Sequence, residues 1–106
     1  MRKRLTNSLF ALLGREELEA PEAVMERVRH AMLAALDEFV EQDKRDMERQ
    51  ILFTTDIEGL WYLRPALMVI ISASQGESAA RECVAQITEL FIGHHPGATP
   101  SKFGSL

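Results

Sequence analysis

Residues 21–42 decide the fold, and they read PEAVMERVRHAMLAALDEFVEQ. Apolar side chains recur in this stretch at intervals of three and four residues, which is the spacing of one face of an α-helix. The apolar positions are Val24, Val28, Ala31, Met32, Ala35, Leu36, Phe39 and Val40. Charged residues such as Glu22 and Asp37 take the other faces, and Pro21 suits the first turn. The stretch therefore predicts an amphipathic helix that needs neighbouring helices to cover its apolar face.

The chain turns polar over residues 41–46. We predict a helix break near Asp43, whose carboxylate would accept hydrogen bonds from the first turn of a second helix that buries Met47. One continuous helix over residues 21–53 is the alternative. No Gly or Pro intervenes, and the step from Val40 to Met47 keeps the same helical face.

A further helix is predicted to start at Thr55. Thr55 and Glu58 have the spacing of a capping box, in which the hydroxyl and the carboxylate each satisfy a backbone donor of the first turn. The residues that follow are apolar on most sides, which is typical of a central helix. Pro65 lies inside this run, and because it lacks a backbone donor and crowds the preceding turn, we expect a kink or a brief break there.

The last predicted helix covers about residues 77–92, after a tight turn over residues 74–76. Gly93 and Pro96 should end it. Residues 94–106 are rich in turn formers and poor in apolar side chains, so we predict a flexible C-terminal tail.

The whole chain of 106 residues, 46% of them hydrophobic and 26% charged, has the size and composition of one small domain. We predict an all-α bundle of four or five helices over residues 21–93, preceded by a basic, amphipathic segment over residues 1–20. Such a chain is too short for a large cofactor fold. Its net charge of −4 argues against a nucleic-acid partner, because phosphate binding needs clustered Lys and Arg.

Cys83 is the single cysteine of the chain, so no internal disulfide can form. Thiols without disulfides are typical of a reducing, cytoplasmic setting, which we therefore expect. The apolar run over residues 9–13 is too short for an export signal and is followed by no small-residue cleavage site. No apolar stretch approaches the roughly 20 residues that a membrane-spanning helix needs.

Metal ligands and nucleophiles are few. The candidates are Cys83, His30, His94 and His95, whereas a structural zinc ion usually takes four convergent ligands. A Cys83 and His30 nucleophilic pair is conceivable, but no catalytic motif surrounds either residue. We predict no catalytic, metal-binding or cofactor-binding residue, and no cofactor.

The N-terminal segment carries a candidate interaction face. Leu5, Leu9 and Leu13 share one helical face with Leu12, behind a basic start formed by Arg2, Lys3 and Arg4. Such a face can dock on another protein, lie on an anionic membrane surface, or pack against the chain's own bundle. The acidic residues that follow weaken the membrane alternative.

A second candidate interaction site is formed by Trp61, Tyr62 and Arg64. This residue combination tends to dominate binding energy at protein interfaces, which favours an anion or partner-protein contact. The structural alternative is an ion pair between Arg64 and an acid of another helix, with the Arg64 stem packed on Trp61. We favour the structural alternative for Arg64.

Three short stretches of the C-terminal half are LWYLRPALM at residues 60–68, QGE at residues 75–77 and ARE at residues 80–82. In these stretches the chain resembles small proteins of unassigned role in proteobacterial genomes. The resemblance implies a bacterial cytoplasmic setting and no activity or catalytic residue.

These features together favour a small cytoplasmic protein-interaction module or adaptor, with a homodimer as its simplest form. The alternative is a small-ligand binder or an enzyme with a pocket near Trp61, Tyr62 and Arg64. A third hypothesis is peripheral membrane association through the N-terminal segment.

Overall fold

The computed structural model of the protein describes residues 20–98. Five helical segments follow one another, and no strand occurs among these residues, so the predicted all-α bundle is confirmed. They are α1 (Pro21–Phe39), α2 (Arg45–Phe53), α3 (Ile57–Tyr62), α4 (Arg64–Gln75) and α5 (Glu77–Glu89). Leu5, Leu9 and Leu13 lie outside the described residues, as does the end of the chain after Ala98.

The central helix is α1, which contacts all four other segments. Its apolar stripe forms the middle of the core, and the other helices each contribute one or a few buried residues. The largest fully buried side chains are Phe91, Met32, Leu36, Ile51, Leu60, Leu67, Ile71, Val24 and Val28. Full burial of each such side chain stabilises the fold by about 1.5–3 kcal/mol before the cost of ordering it.

The break near Asp43 is confirmed, and the continuous helix over residues 21–53 is wrong. Val40 leaves α1 in an extended conformation with its side chain buried, and Asp43 then takes a left-handed conformation with φ of 58°. Asp tolerates this conformation better than most residues, which explains how the chain reverses without glycine. The predicted capping role is wrong, because Lys44 occupies the N-cap of α2 and makes no side-chain cap.

The cap of α3 lies one residue later than the Thr55 capping box predicts. The Asp56 carboxylate accepts a hydrogen bond of 2.7 Å from the backbone N–H of Gly59. An ionised carboxylate is at least as good an N-cap as a hydroxyl and interacts favourably with the helix dipole. Glu58 therefore has no capping role here and is available for a contact elsewhere.

The break at Pro65 is confirmed. Helix α3 ends at Tyr62, Leu63 separates the two segments, and Pro65 lies in the first turn of α4, where its missing donor costs nothing. Gly76 alone joins α4 to α5, with φ of 96°, a value that favours glycine. The start of α4 contacts the end of α5, so the two helices run antiparallel.

Helix α5 ends at Glu89 rather than at residue 92, and the chain continues in turns that stay packed on the bundle. His95 and Ala98 are only 9% and 8% exposed. The prediction of a flexible tail from residue 94 is therefore wrong for residues 94–98. The prediction rests on the small number of apolar side chains in this stretch. It fails because a histidine ring and a glycine, rather than aliphatic side chains, contact the bundle.

The prediction that the helix following Thr55 is central is also wrong. Helix α4 buries Leu67 and Ile71 against the core, while Val69 on its other side is 68% exposed. Because apolar residues occur on both sides of α4, its hydrophobicity alone could not show which side faces the bundle.

Candidate functional site

Arg64 lies half-buried at the junction of α3 and α4. Its guanidinium carbon lies 3.4 Å from the centroid of the Trp61 ring, a cation–π geometry. Nε donates to the backbone oxygen of Trp61 at 3.1 Å, and Nη1 donates to Oγ1 of Thr88 at 2.9 Å. The structural alternative for Arg64 is right about its packing on Trp61, but these bonds go to a carbonyl and a hydroxyl rather than to an acid.

Burial lowers the pKa of Arg64, because desolvation disfavours the charged form. The group still stays protonated at any physiological pH, since guanidinium titrates far above this range. Arg64 therefore serves as a fixed positive charge that joins α3, α4 and α5.

His95 covers Trp61 as well. The two rings stack with centroids 4.2 Å apart and an interplanar angle of 13°, while Phe91 meets the indole edge-on at 5.0 Å. Nδ1 of His95 accepts a hydrogen bond from the N–H of Gly97 at 2.9 Å. In the neutral ring, Nε2 must then carry the proton and donate it to the Glu58 carboxylate, 3.1 Å away.

Gly97 completes this cover. A Cβ atom placed on Gly97 would lie 2.7 Å from Cζ2 of Trp61, so no other residue fits without movement. The sequence could not predict the contacts of Trp61 with residues 91–97. No spacing rule links an aromatic ring in one helix to a turn thirty residues later. The indole is thus largely held by the chain's own groups.

The three predicted site residues separate in the structure. Trp61 and Arg64 come together in the packed junction, whereas Tyr62 is 67% exposed. The ring of Trp61 on which a ligand pocket would depend is already in contact with Arg64 and His95. Tyr62 remains the one of the three that is available to a partner.

Tyr62 begins an exposed apolar row that continues along α4. The row, here called the α4 face, consists of Tyr62, Ala66, Val69 and Ala73, all of them exposed. Its intervals of four, three and four residues equal those of the a and d positions in a coiled coil. Arg64 is the single charged residue of α4, and its guanidinium is turned to Trp61 and Thr88. The α4 face therefore carries no charge of its own.

A groove of about 620 Å³ lies between α1 and α5. Small and apolar residues form most of its wall, and Glu38, Glu82 and Gln86 supply its polar groups. The remaining lining residues are Ala31, Ala34, Ala35, Phe39, Ala79, Cys83, Ile87 and Leu90. None of Trp61, Tyr62 and Arg64 lines it.

Cys83 lies half-buried in this groove. Burial raises the pKa of its thiol, and the charge of Glu38 raises it further. The thiol therefore stays protonated and is a poor nucleophile at neutral pH. His30, the other member of the conceivable nucleophilic pair, is exposed and is not one of the groove residues.

Arg29 is an important residue that sequence reasoning missed. Its Nη1 donates to the backbone oxygens of Ile51, Leu52 and Thr54 at 2.7, 3.0 and 2.8 Å. The guanidinium also pairs with Glu26 at 3.0 Å. From α1, Arg29 thus donates to free carbonyls at the end of α2. The sequence could not show this contact, because the helical pattern shows only that Arg29 lies off the apolar stripe.

No three His, Cys, Asp or Glu side chains within residues 20–98 lie close enough together to hold a metal ion. None of the described helices combines the length and the hydropathy that crossing a bilayer requires. Comparisons with protein families, with curated proteins and with solved structures found no match to this chain. The resemblance to small proteobacterial proteins thus stays a prediction.

Proposed function

We propose that the protein is a small helical protein-interaction module that forms a homodimer through the α4 face. The observation that carries this proposal is the uncharged row of Tyr62, Ala66, Val69 and Ala73, exposed at coiled-coil spacing. An isolated exposed apolar residue is ordinary on a protein surface, whereas a heptad-spaced row that runs from the end of α3 along α4 fits a helix of a partner.

A second copy of the chain is the partner that the α4 face fits best. In a two-fold symmetric interface the same patch meets itself, so any charge on it would face a like charge. The α4 face has none. Its two alanines let two helix backbones approach closely, and Tyr62 and Val69 supply the larger side chains that pack beside them.

The dimer should be weak. Helix α4 has 12 residues, which corresponds to about 18 Å of length. A helix pair of that length buries less than the roughly 1,200 Å² of a typical stable interface. We therefore expect dissociation in the micromolar range and a concentration-dependent equilibrium between monomer and dimer.

A charge placed in the centre of the α4 face tests the proposal. Val69→Lys would put two lysines against each other across the two-fold axis, and we expect it to weaken dimerisation by about tenfold or more. Ala85→Lys is the matched control, because it adds the same charge at an exposed position of α5. Light scattering at one fixed concentration, with helix content checked by circular dichroism, reports the dimer fraction. Equal dimer fractions in the two variants would exclude the α4 face.

We place this module in the cytoplasm of a bacterium. The free, half-buried thiol of Cys83 supports a reducing compartment, and the resemblance of residues 60–82 to proteobacterial proteins supports a bacterial origin.

A further inference from the structure

We propose that the groove between α1 and α5 is the docking site of the chain's own N-terminal segment, with Leu5, Leu9 and Leu13 inserted between the two helices. This proposal concerns a different surface from the α4 face and does not depend on dimerisation. It assigns an occupant to the groove and a structural role to the row formed by Leu5, Leu9 and Leu13.

The shape of the groove suits a row of leucines. Its α1 wall presents Ala31, Ala34 and Ala35, whose small side chains leave room for larger ones to enter. Ile87 and Leu90 on the α5 side offer apolar contact. An amphipathic helix that docks in such a groove buries its apolar residues against the two walls.

The charges are complementary. Glu38 and Glu82 line the groove, and the leucine row is preceded by Arg2, Lys3 and Arg4. Opposite charges at the rim orient a docked segment more than they tighten it. They therefore favour the orientation that brings the basic start of the chain towards Glu38.

The length of the chain permits this orientation. In helical form, Leu5 and Leu13 are about 12 Å apart along the axis, and Ala31 and Phe39 of α1 are separated by the same distance. Residues 14–20 can span up to about 23 Å when extended, whereas Pro21 lies about 15 Å from Ala31 along α1. The segment can thus fold back along α1 with Leu13 beside Ala31 and Leu5 beside Phe39.

The single cysteine in the groove provides a direct test in the full chain. Leu9→Cys places a second thiol on the leucine row, and the proposal predicts that mild oxidation links it to Cys83 within one chain. Disulfide formation requires the two Cα atoms to come within about 7 Å. Asn7→Cys is the matched control, because position 7 lies on the opposite side of a helix carrying Leu5, Leu9 and Leu13. Non-reducing electrophoresis and peptide mass mapping identify the link.

The outcomes are distinct. A cross-linked monomer with Leu9→Cys, in clear excess over Asn7→Cys, supports the proposal at any protein concentration. A covalent dimer would place the leucine row in the groove of a second copy and overturn it. Equal cross-linking of both variants, or none, would overturn it as well.

Protection of Cys83 offers an independent measurement that needs no cross-link. With the leucine row docked, the native thiol should react with iodoacetamide about tenfold more slowly than in Leu9→Asp, while Asn7→Asp leaves the rate unchanged. Unchanged rates in both variants, with the helical spectrum retained, would contradict docking. Binding of the intact chain to vesicles of phosphatidylserine and phosphatidylcholine, accompanied by an accessible Cys83, would assign the segment to the membrane surface instead.

Discussion

At the scale of single residues, two guanidinium groups add hydrogen bonds between helices to the contacts of the apolar core. Arg29 of α1 holds the end of α2 through three carbonyls, and Arg64 joins α3 and α4 to α5. Each guanidinium donates to backbone oxygens at a helix end, where the last carbonyls have no intrahelical partner.

Replacing Arg29 with Met should destabilise the fold by about 2–3 kcal/mol, because three carbonyls lose their donor while the apolar stem is kept. Urea unfolding followed by circular dichroism measures the change. Arg49→Met is the control: its ion pair with Asp46 is exposed, so the expected loss is below about 0.5 kcal/mol. Equal midpoints for the two variants would show that the Arg29 bonds contribute nothing.

Gly59 is the second residue whose substitution has a specific predicted effect on stability. A Cβ atom there would lie 2.5 Å from Cγ2 of Thr54, so Gly59→Ala should cost about 1–2 kcal/mol although alanine is the better helix former. Adding Thr54→Ser removes that methyl group and keeps a hydroxyl for the bond to Gln50. Unfolding of the two single variants and the double variant measures the coupling. Additive losses would contradict the clash.

At the scale of elements, the sequence predicted where the helices lie better than which side of each helix faces the core. The regular spacing of apolar residues predicted α1. Two features that disrupt a helix, the polar run around Asp43 and the ring of Pro65, predicted where the neighbouring helices end and begin. Thr55 and Asp56 both cap well, so local rules could not choose between them. The exposure of Val69 depends on which apolar side of α4 meets the bundle, and this is decided by packing against α1 and α5 rather than by local pattern.

The turn after α5 is the element that sequence reasoning misjudged most, and its packing can be tested through the one tryptophan. His95→Ala removes the ring stacked on Trp61, so acrylamide should quench the fluorescence of Trp61 more efficiently, and stability should fall by about 1 kcal/mol. His30→Ala, at an exposed position of α1, should change neither. Unaltered quenching in His95→Ala would mean that residues 94–98 do not cover the indole in solution.

At the scale of the whole molecule, part of the apolar surface of residues 20–98 stays exposed. Tyr62 at the end of α3 and Val69 on α4, together with Leu52 and Phe53 at the end of α2, are large apolar side chains left exposed. The candidate site was predicted only in part. Residue type alone predicts Tyr62, whereas Ala66, Val69 and Ala73 belong to the site because of which side of α4 faces outward, and the sequence does not show that side.

The mass of the unmodified chain in solution tests the central claim most directly. Sedimentation equilibrium over a concentration series from a few micromolar to a few hundred micromolar should show the average mass rising from the 12.0 kDa of one chain towards twice that value. A mass that stays at 12.0 kDa across the whole series would contradict self-association through the α4 face.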